Sequence, residues 1–280
     1  MRLHCILGAA AVLFAVVACS DHPTSPGVPS APAFIVNGTP TGNSYASVGA
    51  LLHDRNGDGR ITGDDQRCTG SLIGPTVFLT AGHCIVFSPP GTQFYVSFSP
   101  DLYASSFSYI TATGVVFDPQ FGHDLHWGDI EHLHALALVF LPPGSTAGLT
   151  PLQLPPAGLL NALAARGGLN DQVFVNVGYG TSATLTGQPA FPFDGVRKAS
   201  QSEFKALQPT WLGLQENPRA TGLGGDCYGD SGGPTFLDGN PDMVMATVSL
   251  GDIPCRASAW HWRLDTQEAR GFLGQYVTLP

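Results

Sequence analysis

Charge is scarce in this 280-residue chain: only 12% of residues are charged, lysine is rare, and the formal net charge is -9. No basic run occurs that could track a phosphate backbone, which excludes nucleic acid as a partner. Internal repeats and a membrane-spanning apolar run are also missing. Segments with helical periodicity are few. What is present is 43% hydrophobic residues in short, β-branched runs, broken by 35 glycines and 23 prolines. That pattern predicts an all-β fold of sandwich or barrel type with minor helix, large enough for one core or for two barrels packed as a unit.

Residues 1–18 read as an export signal, with Arg2 as the positive start and Ile6 to Ala18 as an apolar run too short to cross a bilayer. Val16-Val17-Ala18-Cys19 is similar to a bacterial lipobox, which makes Cys19 a candidate lipidation site. The plainer alternative is an ordinary signal peptide containing a cysteine. Residues 19–34 are rich in proline and serine and form a linker or a propeptide. Cys5 and Cys19 belong to the exported leader. Cys68, Cys84, Cys227 and Cys255 remain, an even number that in an exported chain suggests two disulfides, with three connectivities open.

Two stretches carry the chemistry: Leu79-Thr80-Ala81-Gly82-His83-Cys84 and Cys227-Tyr228-Gly229-Asp230-Ser231-Gly232-Gly233-Pro234. A serine hydroxyl needs a neighbouring imidazole to take its proton, and the resulting oxyanion needs preorganised N–H donors. Glycines around Ser231 let the backbone N–H groups of Gly229 and Ser231 point at one place. Gly229-Asp230-Ser231-Gly232-Gly233 also fits the nucleophile elbow of α/β hydrolases, with His261 downstream. That elbow requires a following helix, whereas residues 234–241 signal a hairpin.

These motifs resemble those of the trypsin and chymotrypsin family of serine peptidases, which carry T-A-A-H-C and G-D-S-G-G-P, and the resemblance runs from Ile35 to about Arg263. It implies two antiparallel six-stranded β-barrels with the site between them, over residues 35–280. It also implies hydrolysis of peptide bonds through an acyl-enzyme, with His83 as general base, Ser231 as nucleophile, Gly229 and Ser231 as oxyanion hole, and no cofactor for catalysis. The implied disulfides are Cys68–Cys84 and Cys227–Cys255. Ile35-Val36-Asn37-Gly38 resembles the new N-terminus formed by zymogen cleavage, whose amino group pairs with the aspartate before the serine, here Asp230. The preceding Phe34 replaces the usual basic residue. The specificity pocket falls at Gly225, Asp226 and Gly251, and Asp226 leaves a weak expectation of Lys or Arg before the cleaved bond.

One departure stands out. The family's third catalytic residue opens a D-I-A-L-V strand, and the matching position here is Ala135, before Leu136-Ala137-Leu138-Val139. Asp129 is the preferred substitute, ahead of Asp124 and Glu131; the plainer reading places all three in a solvated loop. His123, His126, His132 and His134 in the same segment have a spacing compatible with zinc, against a polar loop with satisfied histidines. Two functions therefore stand: a secreted serine endopeptidase, weakened by Ala135, and a surface-anchored binding module that keeps the fold.

Residues 54–65 form an EF-hand-type loop. Asp54, Asn56 and Asp58 occupy positions 1, 3 and 5, Gly59 makes the turn, the Arg60 carbonyl sits at position 7 and Asp65 at position 12. This predicts a structural calcium site of weak affinity; the alternative is a metal-free Asp/Gly turn. Protein or peptide substrates, a monomer, and membrane contact only through Cys19 complete the expectations, with the chain in the cell envelope or released from it.

Overall fold

The computed structural model describes residues 36–122, 133–183 and 187–280. In chain order the strands are β1 (Thr39–Pro40), β2 (Val48–Leu52), β3 (Gln66–Gly74), β4 (Val77–Ala81), β5 (Tyr95–Ser97), β6 (Ile110–Thr111), β7 (Gly114–Phe117), β8 (Leu136–Phe140), β9 (Val173–Gly178), β10 (Lys198–Leu207), β11 (Trp211–Gln215), β12 (Pro234–Leu237), β13 (Val244–Gly251) and β14 (Ser258–Arg263). Among the described residues four short α-helices accompany them: α1 (Gly82–Val86), α2 (Leu159–Ala164), α3 (Pro218–Thr221) and, after β14, α4 (Gln267–Leu273).

The short apolar runs behave as the sequence predicts. β2 and β4 are buried along their whole length, as is β8 up to Val139, because both faces of these strands are covered. The first sheet has the order β6-β5-β2-β3-β4-β8-β7. The second runs β10-β11-β14-β13-β12-β9, with β9 pairing back onto β10, so that six strands close a barrel and β1 adds to the edge of β10. The first sheet curls into a half-barrel with no closing ladder among the described residues. β6 and β7 lie at opposite edges yet follow each other in the chain, so Ala112 and Thr113 carry the backbone across the opening instead of a hydrogen-bonded ladder.

One buried cluster spans both sheets. It joins Val48, Leu79 and Leu136 of the first to Val175, Trp211 and Phe236 of the second, and the rings of Trp211 and Trp262 meet edge to face at 4.8 Å. Each sheet adds its own core, around Leu51, Leu72 and Phe78 in the first and around Leu160, Phe174 and Met245 in the second. The minor helix expected from the sequence includes α2, and β12 and β13 form the hairpin expected after Gly233, which removes the nucleophile-elbow alternative. Both disulfides implied by the resemblance are present, Cys68–Cys84 and Cys227–Cys255. The leader, Cys19, the linker and Ile35 lie outside the described residues. Among the described residues no helix is long and apolar enough to cross a membrane.

Candidate active site

β4 runs straight into α1, which carries His83. The neighbouring Cys84 is tied back to Cys68 on β3, and Gly82 donates its N–H to the Ala135 carbonyl just before β8 (2.9 Å). His83 is thus fixed by covalent and ladder constraints on the first sheet. Ser231 arrives from the second sheet, in the tight turn before β12: Asp230 N–H donates to Cys227 O at 3.0 Å and Gly233 N–H to Asp230 O at 2.7 Å. Gly232 holds φ at +85°, and a Cβ there would lie 2.2 Å from the Thr80 hydroxyl, so the turn can pack against β4 only with glycine.

Contacts from β3 pin this turn to the first sheet. Thr69 N–H donates to Ser231 O (2.9 Å), while the Thr69 hydroxyl and Gln66 Nε2 both donate to Gly229 O (2.9 and 2.8 Å). Gln66 and Thr69 were not singled out in the sequence, because neither belongs to a motif; their role follows from the docking of two sheets. The N–H groups of Gly229 and Ser231 donate to nothing among the described residues, and Gly229 takes φ of +96°. Together His83, Ser231 and Gly229 line a cleft of about 560 Å³ with Arg55, Asp64, Gln66, Arg67, Cys68, Thr181, Phe193 and Tyr228.

Burial is the main influence on His83 and the Arg67 guanidinium the second; both favour the neutral ring and bring its pKa down to about 4. Behind it the surroundings are apolar. Ala135 is fully buried, and Phe121 packs so closely over Gly82 that a Cβ would meet its ring at 2.5 Å. Asp124, Asp129 and Glu131, the proposed substitutes for a third catalytic residue, lie outside the described residues, as do His123, His126 and His132. His134 is described, and its Nδ1 lies 3.1 Å from Oδ2 of buried Asp118, a carboxylate that belongs to no sequence motif.

A second cavity of about 90 Å³ opens beside Ser231, lined by Glu216, Asp226, Gly251 and the Cys227–Cys255 bridge. Gly225 does not reach this wall. The Glu216 side chain covers it, and a Cβ on Gly225 would meet the Glu216 carboxyl carbon at 2.4 Å. Asp226 does line the cavity; its Oδ2 lies 2.7 Å from His261 Nε2 but the two atoms make no hydrogen bond, and His261 Nδ1 lies 2.5 Å from the Thr235 hydroxyl. Glu216 Oε1 accepts the Asp226 N–H at 3.0 Å, and burial, then the Asp226 charge, raise the Glu216 pKa well above the ordinary carboxylate value. Glu216 is therefore a candidate that spacing could not reveal, and His261, noted in the sequence only for the nucleophile elbow, joins it through the β11–β14 register.

Beneath Ser231, Asp230 is buried and accepts the N–H groups of Gly180 (2.8 Å) and Cys227 (2.9 Å). Burial and the nearby Asp226 push its pKa up to about 8. Val36 is also buried, and its carbonyl accepts the Gly225 N–H at 3.1 Å.

The 54–65 loop folds into a tight turn in which the Asp54 carboxylate accepts the N–H groups of Gly57, Asp58 and Gly59. The Asn56 amide donates to Asp58, whose carboxylate also accepts the Arg60 N–H. Asp65 turns away from them, to the N–H groups of Arg55 (3.0 Å) and Thr62 (2.9 Å). Among the described residues, the side chains near enough to share one ion are Glu216, Asp226 and His261, and His83 with the bridged Cys68 and Cys84; the acidic residues of the loop do not converge.

The Trypsin family profile matches residues 37–259. Among solved structures, mouse neuropsin, a serine protease expressed in the limbic system of the brain, is 18% identical with a TM-score of 0.60, covering 86% of this chain and 99% of its own. Human heparin binding protein is 16% identical with a TM-score of 0.60, covering 88% and 99%. HL collagenase is 19% identical with a TM-score of 0.58, covering 86% and 97%. At these identities the likeness speaks for the fold. No curated protein sequence matches. The profile spans both sheets and both motifs, and the chain belongs to the trypsin family, with the fold of the trypsin-like serine proteases.

Proposed function

We propose that this chain is an exported serine endopeptidase. Ser231 attacks the peptide carbonyl, His83 takes the hydroxyl proton and returns it to the leaving amine, and the N–H groups of Gly229 and Ser231 receive the oxyanion. The observation that carries this reading is that His83, Ser231 and Gly229 line one cleft, while the N–H groups of Gly229 and Ser231 donate to nothing among the described residues. Two disulfides accord with export.

The cavity beside Ser231 accepts the side chain before the cleaved bond. Its 90 Å³ holds about three water-sized groups, so small side chains fit this reading better than Lys or Arg. Cleavage before Ile35 completes the site, since the new amino group offers buried Asp230 a cation; the docked Val36 supports this. The same cut releases the domain from an anchor at Cys19, which mass spectrometry of the mature N-terminus checks. Calcium at Asp54, Asn56, Asp58, Arg60 and Asp65 belongs to the reading on its sequence pattern, and binding requires Asp65 to leave Arg55 and Thr62. A melting temperature that rises in calcium and falls in EGTA is the expected result.

Ala135 favours a second reading, a catalytically idle binding module. Loss of the orienting carboxylate's function costs about 10⁴ in turnover, or about 5.5 kcal/mol, and Ala135 and Phe121 leave apolar surroundings behind His83. A fluorophosphonate probe separates the two on protein beginning at Ile35, with calcium present. Stoichiometric labelling that Ser231→Ala abolishes supports the peptidase, and no labelling supports the module.

A further inference from the structure

The cleft shared by His83 and Ser231 carries more positive charge than hydrolysis requires. Arg67 on β3 and Arg55 in the neighbouring loop both line it together with Cys68 and His83, and none of these four lines the small cavity beside Ser231. Arg55 is steadied along β3 by its backbone N–H to Asp65 and a long contact from Nη1 to Gln66 O (3.4 Å). The Arg67 guanidinium makes no hydrogen bond or ion pair among the described residues, and its Nε is buried without a partner. The one carboxylate in the lining, Asp64, is exposed and accepts the Tyr103 hydroxyl at 2.5 Å. A half-buried guanidinium with unmet donors costs free energy unless an acceptor arrives.

We propose that Arg67, assisted by Arg55, forms a binding site for a carboxylate-bearing residue on the leaving-group side of the substrate. This rests on the peptidase reading for its orientation. The general base that takes the serine proton returns it to the leaving amine, so the amine and the residues after it lie on the His83 side of Ser231, where Arg67 stands. An Asp or Glu side chain, or a free C-terminal carboxylate, matches the planar fork of a guanidinium.

The site acts on chemistry as well as binding. Arg67 disfavours a proton on His83, and during attack the ring must carry that proton with Ala135 where the family has a carboxylate. A substrate carboxylate bound to Arg67 cancels much of the opposing positive charge as the imidazolium forms, so acidic substrates gain in turnover and not only in affinity.

Paired quenched peptides test this, identical except for Glu or Gln at the first two positions after the cleaved bond, with alanine before it. The Glu peptide is expected to show a kcat/KM about tenfold higher, with part of the gain in kcat. Arg67→Gln collapses that ratio toward one, Arg67→Lys retains part of it, and high salt reduces it. Equal kcat/KM for the two peptides in the wild type overturns the proposal while leaving the peptidase reading intact. If the wild type hydrolyses neither peptide, fluorescence polarisation of the same pair on Ser231→Ala protein decides: tighter Glu binding that Arg67→Gln abolishes supports the site, and equal binding overturns it.

Discussion

His83 shows how far a motif reaches and where it stops. The two short motifs identify base and nucleophile, because each needs its residues contiguous in the chain. The state of the base depends instead on burial and on Arg67, sixteen residues away, which only the folded sheet brings close. A base must be neutral to take a proton. With its pKa lowered to about 4, His83 is already neutral throughout the range in which an ordinary histidine near 6.5 is still titrating. The fluorophosphonate labelling rate is therefore expected to stay level from pH 8 down to about 5 and to fall only near 4. Arg67→Gln moves that acid limb upward, though short of 6.5, since burial is the larger cause and remains. An acid limb already at 6.5 in the wild type contradicts the buried environment described for the ring. Glu216 and His261 teach the complementary lesson: each sits near apolar stretches, 45 positions apart, and their meeting with Asp226 is a product of strand register that spacing cannot display.

At the scale of elements, the turn carrying Asp230 and the segment carrying Val36 form one unit. The family resemblance implies that the Ile35 amino group pairs with Asp230, with Phe34 before it leaving the activating cut open; Ile35 lies outside the described residues, and its neighbour Val36 accepts the Gly225 N–H. Without a new amino group, buried Asp230 titrates at about 8, against about 4 for an aspartate in the unfolded chain. Between those values the folded state holds a proton that the unfolded state has released, so the contribution of Asp230 to stability falls as pH rises through this window. In protein that retains the residues before Ile35, Asp230→Asn is expected to flatten the decline in melting temperature between pH 5 and 8. In protein that starts at Ile35 the sign reverses: the ammonium favours the carboxylate, and Asp230→Asn lowers the melting temperature at neutral pH. Thermal denaturation of the two forms, each with and without the substitution, checks both halves. An identical effect of the substitution in both forms removes the role given to the amino terminus.

For the whole molecule, the all-β class was legible because short β-branched runs, glycine and proline carry it locally. How the two sheets are fastened was not legible, and Arg197 is the reason. It lies in an unremarkable stretch, Gly195-Val196-Arg197-Lys198, and is only 1% exposed. Its Nη2 donates to Gly42 O and Ser44 O (both 2.9 Å), Nη1 to Val48 O (2.9 Å) and Phe98 O (3.2 Å), and Nε to the Thr41 hydroxyl (2.9 Å). One guanidinium at the head of the second barrel thus satisfies the N-terminal segment and two places in the first sheet at once. No carboxylate is needed, because every donor meets an oxygen and the five-donor fork matches carbonyls that no single strand could pair. Removing it strands several buried carbonyls at about 1 to 3 kcal/mol each, so Arg197→Ala is expected to cost more than about 3 kcal/mol. Arg197→Lys recovers only part, since one ammonium cannot reach acceptors spread around a planar fork. Urea unfolding of the two variants measures this, and a cost for Arg197→Ala below about 1 kcal/mol would show that apolar packing across Val48, Leu79, Trp211 and Phe236 alone joins the sheets.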